Sequence, residues 1–183
     1  PATLEQLNKQ PQKNIAIFIP AWMEGGVVNR MADYATHILD YDEYDIFIGV
    51  YPNDAETNRC VDNLCRTSPR IHKALDGSPG PTSKADCLNA IFETMKAREK
   101  ETGREYAIIA LHDAEDVLHP LTLKVYNHHV PSNLDMAQLP VFPLEMSPWK
   151  NWIGNSYIDE FSEWHVKDMR SREAIGGVVP SAG

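Results

Sequence analysis

Two periodicities of hydrophobic and polar positions alternate along the chain. The run NIAIFIP (14–20) is β-branched and aromatic and closes on proline, as a buried strand does. Val27, Val28, Met31, Ala35, Ile38 and Leu39 then recur at helical spacing. YDIFIGVYP (44–52) predicts a second strand, AETNRCVDNLCRT (55–67) a polar helix, and RIHKALD (70–76) a weaker third strand. After the turn-rich GSPGPTSK, the spacing of Leu88, Ile91, Phe92 and Met95 predicts a third helix ending near Gly103. EYAIIALH (105–112) predicts a fourth strand, and LDMAQLPVF (134–142) a fifth at a sheet edge, because Pro140 interrupts it. The stretch 149–172 is aromatic-rich and partly helical in pattern.

Strands alternating with amphipathic helices imply βαβ units, hence an α/β fold with a doubly wound, mostly parallel sheet. In such sheets ligands bind beyond the carboxyl ends of the strands. The polar turn clusters fall at those ends: PAWMEGG, PNDAE, DGSPGPTSK and HDAED. They bring Glu24, Asp54, Lys84, Asp113, Glu115 and Asp116 within reach of one crevice.

Composition narrows the chemistry. A chain of 183 residues, 43% hydrophobic, suffices for one core. Its net charge of −9 disfavours phosphate backbones and anionic lipid, so no nucleic-acid partner is expected. The longest apolar runs, IAIFIPAW and YAIIAL, fall short of the ~20 residues that cross a bilayer, and the chain reads as soluble. Cys60, Cys65 and Cys87 form no close pair and read as half-buried thiols of a reducing compartment. The polar start is not a signal peptide, and both ends read as cut from a longer protein.

Three acids within four positions, in HDAED, repel one another unless a cation or hydrogen-bond donors intervene. Hard oxygen ligands on a loop suit Mg²⁺ or Mn²⁺, with substrate phosphates completing the shell. Lys84, and the helix N-terminus it opens, add positive character for a diphosphate. Neither GxxxxGK[ST] nor GxGxxG spacing is present, which disfavours P-loop hydrolysis and dinucleotide binding. Structural alternatives stand beside each reading. Asp116 could cap the helix through PLTLKVYNHH, with His119 an equal candidate, Asp54 could close an Asx turn, and Gly25 and Gly26 could simply form a turn.

IPAWMEGG, YPNDAET, SKADCLN and LHDAEDVLHP occur in the order and approximate spacing of the family 2 glycosyltransferases, which the chain resembles over about 13–142. The likeness is strongest to the processive, membrane-bound branch and within it to the bacteriophage adsorption protein B family. It implies a GT-A-like, Rossmann-like fold, C-terminally incomplete here, with a leader (1–13), a nucleotide-sugar-binding core (14–143) and the start of an acceptor-side region (144–183). Pro20, Ala21 and Glu24 would line the nucleoside pocket, Asp54 would face the uracil, and Lys84 would lie by the diphosphate or sugar. Asp113 would meet the ribose or the ion, and Glu115, in place of the family's second Asp, would ligate the metal alone or with Asp116. Asn53 departs from the family, which often has Asp there.

The reaction implied is inverting transfer from a UDP-sugar to a glycan acceptor, assisted by Mg²⁺ or Mn²⁺, for exopolysaccharide synthesis that serves phage adsorption. The resemblance further implies a parent embedded in the bacterial inner membrane, this domain on its cytoplasmic face, an outer-membrane partner and cyclic-dinucleotide regulation. The general base is expected beyond Gly183, which would leave these residues inactive alone; inside the chain only Glu145, Asp159 or Glu160 could serve. Two other classes remain open: a non-catalytic nucleotide-binding or receptor-assembly module of the same fold, and a metal-dependent phosphohydrolase, for which only Glu24 stands near a nucleophile's position.

Overall fold

The computed structural model describes residues 2–130, 134–142, 158, 160 and 162–177. The elements in order are α1 (Leu4–Lys9), β1 (Ile15–Pro20), α2 (Gly25–Ile38), β2 (Tyr44–Val50), α3 (Ala55–Thr67), β3 (Ile71–Leu75), α4 (Lys84–Thr102), β4 (Ile108–Leu111) and α5 (Thr122–His129). A π-helical turn, Trp164–Asp168, leads into α6 (Met169–Ala174). The chain divides into two compact units, Pro1–Met136 and Ala137–Gly183.

The four strands form one parallel sheet in the order β3-β2-β1-β4. Side chains alternate across its faces, so each strand feeds two cores. Ile15, Ile17 and Ile19 of β1, with Ile46 and Ile48 of β2, pack on Val28, Met31, Ala32 and Ala35 of α2 and on Val61 and Leu64 of α3. Ala16, Phe18 and Phe47 face the opposite way, onto Cys87, Ile91 and Met95 of α4. Burial on both faces explains why β1 and β2 read as continuous apolar runs rather than alternating ones.

Of the expected positions on α4, Ile91 and Met95 are buried and Leu88 packs half-buried against the same core, and only Phe92 turns outward, 41% exposed. Cys87 is buried as well. The reason is Gly49, where a Cβ would lie 2.8 Å from Ile91 Cδ1 and press on Cys87 Sγ, so α4 approaches β2 too closely for a larger side chain. Gly25 and Gly26 open α2 instead of forming a separate turn. Residues 4–9 of the expected leader are a helix, closed by a Thr3–Gln6 capping box. The expected fifth strand does not form: 134–142 carries no strand, and Leu134, Met136, Val141 and Phe142 are exposed. The three cysteines are free; Cys60 and Cys65 are half-buried and Cys87 is buried. No described helix is long and apolar enough to cross a membrane. Much of the expected helical tail, including Glu145 and Asp159, lies outside the described residues.

Candidate functional site

Because the strands are parallel, the loops after β1, β2, β3 and β4 emerge on one edge. Strand order reverses between β1 and β4, the switch point at which open α/β sheets form a crevice. Pro20 ends β1, and Ala21, 2% exposed, continues it by donating its N–H to Gly49 O at 2.9 Å. Glu24 then stands at the N-cap of α2, on one side of the switch point. The HDAED loop leaves β4 on the other side.

Lys84, the first residue of α4, reaches across to Asp113, with Nζ 2.6 Å from Oδ1. Glu24 is held above the usual carboxylate range, first by burial and then by the negative charges of Glu115, Asp113 and Asp54. Glu24, Lys84, Asp113 and Glu115 therefore share one electrostatic neighbourhood. The α4 N-terminus is less open to an external anion than expected. Ser83 Oγ accepts the Asp86 N–H at 3.1 Å, and Asp86 Oδ2 accepts the Ser83 N–H at 3.2 Å, so a native carboxylate already occupies that end.

Asp54 is 7% exposed and committed to the protein. Oδ1 accepts the Thr57 N–H at 3.1 Å, capping α3, and Oδ2 accepts the Met23 N–H at 2.6 Å. Burial opposes its ionisation, but hydrogen bonds from Thr57 and Met23 outweigh it and hold its pKa below the usual value. The Met23 bond fixes that residue at φ 57°, a left-handed conformation that is strained for a side chain other than glycine. Glu24 N–H donates in turn to Thr57 Oγ1 at 3.1 Å.

Asp116 is likewise a brace. Its Oδ2 accepts the Asp113 N–H at 3.1 Å and His112 Nδ1–H at 3.0 Å, and its own N–H donates to Asp113 O at 3.1 Å. Burial works against its ionisation, yet His112 and the Asp113 amide bring the pKa below the ordinary value. The capping expectation for Asp116 fails because α5 starts only at Thr122. Near that start, His119 Nδ1 accepts the Leu121 N–H at 3.2 Å.

The expected trio of metal ligands is thus split. Among the described residues, no three His, Cys, Asp or Glu side chains are arranged to hold a metal ion. Asp113 and Glu115 remain as hard oxygen donors, and one or two carboxylates completed by phosphate oxygens is a usual Mg²⁺ arrangement. That donor chemistry fits a hard divalent cation, provided Asp113 gives up Lys84. Other groups at this edge lie inside the same loop segments but have no role assigned from the sequence. Trp22 and Tyr51 pack edge-to-face at 5.1 Å, and Asn53 exchanges two hydrogen bonds of 2.7 Å with the backbone of Gly80. Asp76, buried at the end of β3, was discoverable only from its position after a strand.

The family described as "Glycosyltransferase like family 2" matches residues 11–183. The chain belongs to this glycosyltransferase family. Bacteriophage adsorption protein B of Escherichia coli (strain K12) and bacteriophage N4 adsorption protein B of Escherichia coli O157:H7 are each 47% identical to it over 178 residues, 97% of this chain. The chain spans 24% of the length of these relatives. Among solved structures, the mannosyltransferase PcManGT from Pyrobaculum calidifontis, in complex with GDP-Man and Mn²⁺, matches with a TM-score of 0.52 at 15% identity. The match covers 70% of this chain and 38% of that one, and it shows a shared glycosyltransferase fold.

Proposed function

We propose that this family 2 domain is the donor-binding part of a metal-dependent, inverting glycosyltransferase that uses a UDP-sugar. The observation that supports it is the convergence of Glu24, Lys84, Asp113 and Glu115 on the β1/β4 switch point. Lys84 holds the diphosphate after leaving Asp113, and Asp113 and Glu115 then face the cation. Mg²⁺ or Mn²⁺ supplies charge stabilisation for the departing diphosphate. Pro20 and Ala21 form the floor beside the nucleoside, while Asp54 and Asp116 hold the two flanking loops in shape. The acceptor hydroxyl needs a general base, which this reading places beyond Gly183. Exopolysaccharide synthesis serving phage adsorption, a glycan acceptor, a parent in the inner membrane, an outer-membrane partner and cyclic-dinucleotide control belong to the proposal for the whole protein. They rest on the likeness to adsorption protein B alone.

Titration calorimetry with UDP and Mn²⁺ tests the donor reading: binding is expected to need the metal and to be lost in Asp113→Ala. Equal UDP affinity with EDTA present would refute the metal dependence. A second reading, a nucleotide-binding or receptor-assembly module without catalysis, is favoured by the engagement of Asp54 and Asp116 in loop bracing. It predicts no transfer from any longer form of the protein that binds UDP.

A further inference from the structure

The carboxylate of Asp76 stands apart from the acids of the crevice. Its N–H donates to Val50 O at 2.8 Å, extending β3 alongside β2, and the residue is 6% exposed. Oδ1 accepts the Ser78 N–H at 2.8 Å. Oδ2 is buried and, among the described residues, has no hydrogen-bond partner. An ionised carboxylate offers only acceptors, and leaving a buried one unmatched is unfavourable, so this oxygen calls for a donor.

The surroundings are a built site on the ligand side of the sheet. Trp22 and Tyr51 meet at an interplanar angle of 88°. Gly80 lies so near them that a Cβ would come within 2.5 Å of Trp22 and 2.7 Å of Tyr51. Thr82 donates its hydroxyl to Tyr51 Oη at 3.1 Å. Val50 pairs with Leu75 across β2 and β3, so Asp76 follows in register beside Tyr51. Burial foremost, with the charge of Asp76 contributing, holds the Cys87 thiol and the Tyr51 phenol above their ordinary values. The order β3-β2-β1-β4 separates the β3 and β4 loops by three strand spacings, about 14 Å. That distance is comparable with an extended nucleoside diphosphate whose phosphates lie at Lys84 and Asp113.

We propose that Asp76 selects the base of the donor, its free Oδ2 accepting the single ring N–H that uracil presents at N3. The assignment rests on the nucleotide-donor reading above. One free acceptor matches one donor. Guanine presents two adjacent donors and would need both oxygens, one of which Ser78 holds. Cytosine turns a ring acceptor toward the same position and is repelled. Trp22 and Tyr51 supply aromatic surface for the base. Gly77, Ser78, Pro79 and Pro81 are exposed, and the fixed points of this turn are the hydrogen bonds of Ser78 and Gly80, so a base enters by shifting the turn and not the core.

Calorimetric binding of UDP, CDP and GDP with Mn²⁺, on the chain and on Asp76→Asn, tests this. Asn keeps an oxygen for Ser78 and turns an NH₂ group toward the base. The wild-type chain is expected to prefer UDP; the variant is expected to lose UDP affinity about tenfold or more and to gain CDP affinity, because the cytosine N3 accepts. A thermal melt checks that the variant is folded; should it not fold, the wild-type ranking decides. Unchanged UDP affinity in folded Asp76→Asn, or a wild-type preference for CDP or GDP, overturns the role of Asp76 and leaves nucleotide binding intact. A wild-type chain that binds none of the three removes the donor reading and this inference together.

Discussion

Replacing Lys84 with Met separates a structural ion pair from a functional one. The Lys84–Asp113 contact is short, 2.6 Å, but the two side chains are 39% and 44% exposed. At that exposure solvent screens most of the Coulomb attraction, and such pairs contribute ~0–1 kcal/mol. In a domain of this size the loss corresponds to a melting shift of at most about 2–4 °C. Against a diphosphate, Lys84 makes a charge-assisted hydrogen bond worth ~1.5–3 kcal/mol, so UDP affinity falls about 10- to 150-fold. The same substitution frees Asp113, and Mn²⁺ alone should bind more tightly to the variant than to the wild-type chain. Thermal melts and calorimetry on the same samples give all three quantities. A melting shift well beyond ~4 °C with unaltered UDP affinity would refute the reasoning, because Lys84 would then be a structural strut.

Three further outcomes follow from the geometry. Gly49→Ala puts a methyl within 2.8 Å of Ile91, and overpacking of this kind costs about 1–3 kcal/mol, read as a lower urea midpoint. Asp54→Ala removes the α3 cap and leaves the Met23 amide without its acceptor, a loss of about 2–4 kcal/mol; a urea-derived loss under ~1 kcal/mol would sink the bracing role. For pH, Asp45 is buried in β2, and that burial opposes its ionisation, but bonds from His72 and Tyr106 and the charge of Arg104 outweigh it. Asp45, Asp54 and Asp116 titrate below their ordinary 3.8, so the stability they contribute is present above that value and lost as pH falls through their folded values. Glu24 titrates above its ordinary 4.5 and has the opposite sign: stability declines as pH rises from 4.5 through its folded value, and Glu24→Gln should abolish that decline while sparing the acid limb.

The strands were legible because their signal is local. IAIFIP and YDIFIGV are buried on both faces, so apolar content alone marks them. On α4 the spacing identified Leu88, Ile91 and Met95 correctly, but the choice between Cys87 and Phe92 depends on how near Gly49 lets the helix come, and that contact joins residues far apart in sequence. The stretch 134–142 has the composition of a strand, but pairing needs a partner edge that composition does not record. At the site, position after a strand identified Glu24, Asp54, Asp113 and Glu115 as residues of one edge. The partners that divide their duties were hidden: Met23 for Asp54, His112 for Asp116 and Lys84 for Asp113 are set by distances. Asp76 opens the DGSPGPTSK cluster, but as a lone acid before a glycine it reads as a turn residue, and its unmatched oxygen is visible only in three dimensions.

Thr57 is fully buried, yet its hydroxyl holds the Glu24 amide and its own N–H is held by Asp54. Gly25 presses on the same spot, where an added Cβ would meet Cys60 Sγ at 3.1 Å and Thr57 Cα at 3.2 Å. Residues 22–25 and the first turn of α3 are therefore tied together by hydrogen bonds and close packing. Libraries that randomise PAWMEGG to change the preferred sugar nucleotide will yield mostly misassembled loops unless positions 54, 57 and 60 vary with it. Conversely, a change at position 57 alone, hidden from any ligand, will retune the crevice by displacing the Glu24 backbone.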